Sequence, residues 1–166
     1  MNKYYSTQIL TTRINIEPRN IKGDIYNLVL YNIKKRYEGV CNKDGYIRNG
    51  SIEILNRSIG QSKIIDNKSY MVYNITYKAD IISPSVGDNI KCMINSNNKM
   101  GLIGFIKYND DDTINESPYI IIIPREFFDS DTDIDSIKIG EIIDVSIVNF
   151  RIKYMNKQIQ MVAKPL

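Results

Sequence analysis

Beyond Pro84 the chain never sustains a helical period. Five short β-prone runs follow, at 89–95, 99–108, 118–123, 141–150 and 157–163, each set off by turn residues. Between the third and fourth runs, PREFF at 124–128 reads as a single helical turn. A chain segment of this kind has no long helix on which to build a core. Its short strands must pair with one another and bury one face each, as in a small Greek-key barrel.

The residues before Pro84 follow a different plan. Residues 5–16 alternate in polarity and are rich in Ile and Thr, so they predict a strand, ended by Glu17-Pro18. From Gly23 to Tyr37 the period changes: Ile25, Leu28, Val29 and Ile33 fall at helical spacing, and Lys34, Lys35 and Arg36 occupy the last turn, where the helix dipole favours cations. Tyr37 to Cys41 reads as a short strand, Asn42 to Gly45 as a turn around Asp-Gly, and Tyr46 onward as a second strand. That strand runs into a stretch where Gly50 and Gly60 bracket the apolar residues Ile52, Ile54 and Leu55. A long alternating strand over 69–83 places Met71, Tyr73, Ile75, Tyr77 and Ala79 on one face. Residues 1–82 are therefore expected to form an α+β domain of one strand, one helix and three antiparallel strands. PSVGD at 84–88 marks the boundary, and 83–166 is expected to be an all-β, five-stranded OB-fold barrel.

Composition removes most catalytic chemistry. The chain has no histidine, which takes away the commonest general base and the commonest metal ligand. Its two cysteines, Cys41 and Cys92, lie in no metal-ligand spacing, and in this setting they read as reduced thiols. Cys41, next to a glycine-punctuated turn, has no visible chemical partner and reads as a small apolar strand residue packed near the helix. Neither a catalytic residue nor a cofactor or metal is expected. Asp129, Asp131 and Asp133 copy the opening of an EF-hand loop, but Ile134 stands where that loop needs glycine and Gly140 where it needs glutamate. This acidic segment reads as a solvated loop, as does Asp110 to Asp112. The chain shows neither a signal-peptide core nor a membrane-spanning apolar run, so an intracellular protein without a membrane partner is expected. Its five Asn-x-Ser/Thr sequons are what so asparagine-rich a chain contains by chance.

Charge divides at the same boundary. Residues 1–82 hold 13 Lys and Arg against 7 Asp and Glu, and residues 83–166 hold 9 against 12. Nine of those twelve acids lie in 109–116 and 126–135, so the rest of the second half is basic, which allows a cationic barrel face with acidic loops elsewhere.

The order of these features resembles the stalk subunit of multisubunit DNA-directed RNA polymerases, the seventh subunit of RNA polymerase II or its archaeal counterpart. The resemblance runs through INIEP at 14–18, the helix, YEGVCNKDGYI at 37–47, the strand YNITYKADIISPSVGDNI at 73–90, and Asn98-Lys99-Met100-Gly101-Leu102. It implies a non-catalytic subunit whose N-terminal domain docks on the polymerase core beside the clamp and whose OB-fold projects near exiting RNA. Core docking would fall to Arg19, Asn20, Ile21 and Gly23 after the first strand, and to Ile52, Ile54, Leu55 and Ile59 in the apolar island.

For RNA, the resemblance implies stacking on aromatics and phosphate contacts from bases. Where such barrels place an aromatic just after the glycine, this chain has Leu102. The remaining candidates are Tyr108 and Tyr119, with Lys99, Lys107, Arg151, Lys153 and Lys157 for phosphates. Phe105 reads as barrel core. The expected binding is weak, sequence-independent and salt-sensitive. The implied partners are the large catalytic subunits and other core subunits, nascent single-stranded RNA, and a fourth-subunit-like stalk partner. The early stop at MVAKPL puts that last partner in question. Compact length and AT-rich coding suit a polymerase component encoded by a large DNA virus of eukaryotes, acting in the host cytoplasm or nucleus or packaged in a virion. Two other classes remain open: a free OB-fold RNA-binding protein, and a protein-bridging module that has lost RNA binding.

Overall fold

In the computed structural model, residues 5–107 and 112–166 are described. The chain divides into two compact units, one of residues 1–40 and 47–82, the other of residues 41–46 and 83–166.

The first unit is a sheet carrying one helix. β1 (Ser6–Ile16) pairs antiparallel along its whole length with β5 (Lys68–Ile82), from Ser6 opposite Ile81 to Ile16 opposite Met71. The other edge of β5 takes three short strands: β2 (Tyr46–Ile47), β3 (Glu53–Arg57), opposite residues 75–78, and β4 (Gln61–Ile65), opposite residues 68–72. The expected alternation of β5 holds, since Tyr73, Ile75, Tyr77 and Ala79 are buried and Met71 is half-buried on the same face. Helix α1 (Ile25–Tyr37) lays Val29, Ile33 and Tyr37 onto that face. These three fall one helical turn apart, which is the stripe a helix needs to cover a sheet. Asp24 caps the helix, its Oδ1 accepting from the Tyr26 N–H at 3.0 Å. At the other end the Tyr37 hydroxyl meets Thr12 Oγ1 of β1 at 2.6 Å and its ring stacks on Tyr77, centroids 6.0 Å apart.

Two expectations about this unit need correction. Tyr37 closes the helix instead of opening a strand. Gly39, with φ +71°, turns the chain left-handed just past the helix end, as glycine does in many helix C-caps. Only Val40 and Cys41 then remain before the next turn, and Cys41 makes one isolated bridge, to Tyr46. The Asn42 side chain heads that turn, its Oδ1 accepting from the N–H groups of Asp44 at 2.8 Å and Gly45 at 2.9 Å. The second correction is β4, which lies inside the stretch read as a continuation of the second strand. Asp66 and Asn67, with φ 50° and 62°, turn β4 directly into β5 as a two-residue hairpin.

The second unit is a closed five-stranded barrel. Its strands are β6 (Asn89–Asn98), β7 (Gly101–Phe105), β8 (Tyr119–Pro124), β9 (Ile142–Arg151) and β10 (Ile159–Pro165). β6 pairs with β7 and β9, β7 with β8, and β10 with β9, all antiparallel, and β10 closes the barrel by pairing parallel to β8. Ile90, Cys92, Ile94, Leu102, Ile121, Ile123, Val145, Ile147, Ile159, Met161 and Ala163 are buried. The wall is tight at Gly104, where an added Cβ would lie 2.3 Å from Cys92 Sγ and 2.5 Å from the Met93 carbonyl oxygen. The helical turn expected at 124–128 is a 3₁₀ turn at Arg125–Phe127, and a second one covers Ile134–Ser136.

Candidate functional site

Neither cysteine is poised for chemistry. Cys41 and Cys92 are free and buried, and desolvation pushes their thiols up from 9.0 to about 11 and about 12. A thiol that high holds almost no thiolate near neutrality, and the thiolate is the reactive form. Among the described residues no group of three His, Cys, Asp or Glu side chains is gathered to hold a metal ion, and no helix is long and apolar enough to cross a membrane. What the two units offer is surface.

In the first unit, the register places the 17–23 connection and the β4–β5 turn at the same end of the sheet, because Ile16 lies opposite Met71. Arg19 and Asn20 are exposed there, Arg19 Nε sits 2.6 Å from Glu17, and Ile21 is half-buried against the core. Gly23 is exposed and left-handed. Open hollows of about 470 Å³ and about 360 Å³ flank this tip, the first between Arg19 and Lys68, the second between Asn20, Tyr31 and Tyr70. The apolar island divides. Ile52, expected at the surface, is only 5 % exposed and belongs to the core, and Ile54 is half-buried against it. Leu55 and Ile59 are exposed, Ile59 to 88 %. Ile64 of β4, which the sequence reading passed over, is 80 % exposed. Leu55, Ile59 and Ile64 are thus three exposed apolar side chains spread along the β3–β4 side of the sheet, with Asn56, Arg57, Gln61, Ser62 and Lys63 exposed between them. Ile64 follows the polar run Gln61-Ser62-Lys63, so no apolar period marked it.

In the second unit, pairing sorts the expected RNA-binding residues by barrel end. Phe105 lies opposite Ile120, Ile159 beside Tyr119, and Gln160 opposite Arg151. Lys107, Arg151, Lys153 and Lys157 thus gather at one end. Lys99, in the turn where Asn98 lies opposite Gly101, projects from the other. Tyr119 is 3 % exposed and lies inside the barrel, so it offers no stacking surface. The reason is the continuous apolar run YIIIIP, in which alternation between core and surface leaves no trace. Leu102 is likewise fully buried, opposite Ile123, and Phe105 is buried as expected. Tyr108 falls outside the described residues.

The β9–β10 connection, 152–158, makes up for the loss. Arg151, Lys153 and Lys157 are exposed, and among the described residues none of them is held in an ion pair. Tyr154, between two of them, is 60 % exposed, and the sequence reading missed it although FRIKYMNK interleaves aromatics with bases and carries no acid. The loop is tied down at its middle and at its C-terminal end. The Cys41 N–H donates to the Asn156 carbonyl at 2.7 Å and the Cys41 carbonyl accepts from the Met155 N–H at 2.8 Å. Gln158 Nε2 donates to the carbonyls of Ile114 and Ser117. Asp112 and Glu116 lie in the connection that Gln158 holds, so acidic side chains neighbour the basic loop. No family model and no curated protein matches the chain.

Proposed function

We propose that this chain is a non-catalytic stalk-type subunit of a multisubunit DNA-directed RNA polymerase, docking on the polymerase core through its first unit and touching nascent RNA weakly through its second. The barrel is read as an OB-fold. The return of its fifth strand between the third and fourth, with a short helical turn between the third and fourth, supports that reading. One observation carries the proposal: a helix-backed sheet whose β3–β4 edge exposes Leu55, Ile59 and Ile64 precedes a barrel whose β9–β10 loop presents Lys153, Tyr154 and Lys157. The edge supplies protein-docking chemistry, and the loop supplies cations and a stacking face for single-stranded RNA.

A second reading, a free RNA-binding protein, rests on the loop alone. Affinity purification of a tagged copy separates the two. The stalk reading requires recovery of the large catalytic polymerase subunits, whereas RNA without polymerase favours the second.

A further inference from the structure

The outward side chains of the barrel wall beside the basic loop form a small hollow. Ile122 of β8 lies beside Val162 of β10, and Val162 lies opposite Asn149 of β9. One step nearer the loop, Gln160 lies opposite Arg151. These five residues and Phe150 line a depression of about 170 Å³ on the surface of β8, β10 and β9. Pockets for drug-sized ligands run about 300–1,000 Å³, so this one has room for a single flat ring system. Its floor is apolar, Ile122 being exposed and Val162 half-buried, and its rim carries the amides of Asn149 and Gln160 and the Arg151 guanidinium.

We infer that this hollow on the outer face of β8, β10 and β9 is a binding site for one unstacked base of single-stranded RNA. Ile122 and Val162 take the face of the base and the Gln160 amide takes its polar edge. The Arg151 guanidinium stacks on the ring or holds the adjoining phosphate. Charge complementarity selects this occupant: the strand that leaves the hollow past Arg151 runs directly onto Lys153, Tyr154 and Lys157, where phosphates find cations and a second base finds a ring. A base inside a duplex has its faces stacked and its edge paired, so it cannot fill the hollow, and single strands are preferred. The inference rests on the RNA-contacting part of the proposed function and is independent of core docking.

The test is fluorescence anisotropy of a short labelled oligouridylate at several salt concentrations, with duplex RNA as competitor. Val162→Phe fills the hollow from an outward position, and Gln160→Ala removes the polar edge without filling anything. Val162→Phe should weaken binding about tenfold, the loss of one stacked base, and leave the slope of log K against log salt unchanged. Lys153→Ala with Lys157→Ala should instead lower that slope. The inference is overturned if both hollow variants bind as the unaltered protein does, or if duplex competes as well as single strand. Recovery of polymerase lost in Val162→Phe while RNA binding persists would assign the hollow to a protein and overturn it too. Absence of RNA binding by the unaltered protein also overturns it, while leaving core docking to its own purification test.

Discussion

Cys41 grips Asn156 through its backbone: the N–H of one donates to the carbonyl of the other at 2.7 Å, and the Cys41 carbonyl takes the Met155 N–H at 2.8 Å. Met155 has φ +65°, a left-handed conformation that costs a non-glycine residue about 1–2 kcal/mol. The pair of hydrogen bonds helps hold that turn in place and so fixes the spacing of Lys153, Tyr154 and Lys157. The turn at 41–46 is a bracket for the β9–β10 loop, and its thiol is incidental.

Because the bracket is made of backbone, Cys41→Ala should keep it. The expected cost is about 1 kcal/mol of stability from the small void, with RNA affinity unchanged. Both thiols should resist a thiol reagent near neutral pH until the protein unfolds. Their raised values also set a sign. The folded state favours the neutral thiol, so this contribution is full below the ordinary 9.0 and is lost as pH rises toward about 11 and then about 12. Denaturant unfolding of the unaltered protein and of Cys41→Ala across alkaline pH reads this directly, the variant showing the shallower decline.

Gly104→Ala should be among the most damaging single changes in the barrel. The new methyl would meet Cys92 Sγ at 2.3 Å and the Met93 carbonyl oxygen at 2.5 Å, and a backbone oxygen cannot rotate away. The strand pair must spread, at about 1–3 kcal/mol or more. A denaturant midpoint equal to that of the unaltered protein would contradict the close approach of β6 and β7.

Within the apolar island, neighbours should behave oppositely. Ile52→Ala empties core space and should cost about 2–5 kcal/mol. Ile59→Asp and Ile64→Asp touch exposed side chains and should stay within about 0.5 kcal/mol while reducing recovery of polymerase. Thermal unfolding together with affinity purification distinguishes the two kinds of residue.

At the barrel, Lys153→Ala with Lys157→Ala should lower the salt slope of single-stranded RNA binding by about 1.4, about 0.7 for each phosphate no longer neutralised. Lys99→Ala, at the opposite end, should change it less. Equal effects from all three would mean that RNA crosses the barrel and does not stay at the loop.

Much of this architecture was legible because burial leaves a period. The odd-numbered residues of β5 and the Val29, Ile33 and Tyr37 stripe of α1 alternate as a sheet face and its covering helix require. The five barrel strands were visible as apolar runs between turns. What escaped was whatever has no period. Tyr119 sits in a run apolar on both faces, so its inward direction could not be read. β4 is solvated on both faces and looks like loop. The end of α1 depended on Gly39 adopting a left-handed conformation, which a strand-like reading of Tyr37 to Cys41 hid. Tyr154 lies in a loop, where exposure follows from the hydrogen bonds of Cys41 and Gln158, partners distant in sequence.

The central claim is that the first unit docks on a polymerase core. Affinity purification of a tagged copy from the cells in which the chain acts, followed by mass spectrometry, tests it most directly. The account predicts the large catalytic polymerase subunits in stoichiometric yield, lost on combining Ile59→Asp with Ile64→Asp. Recovery of RNA without those subunits, or of neither, would contradict it.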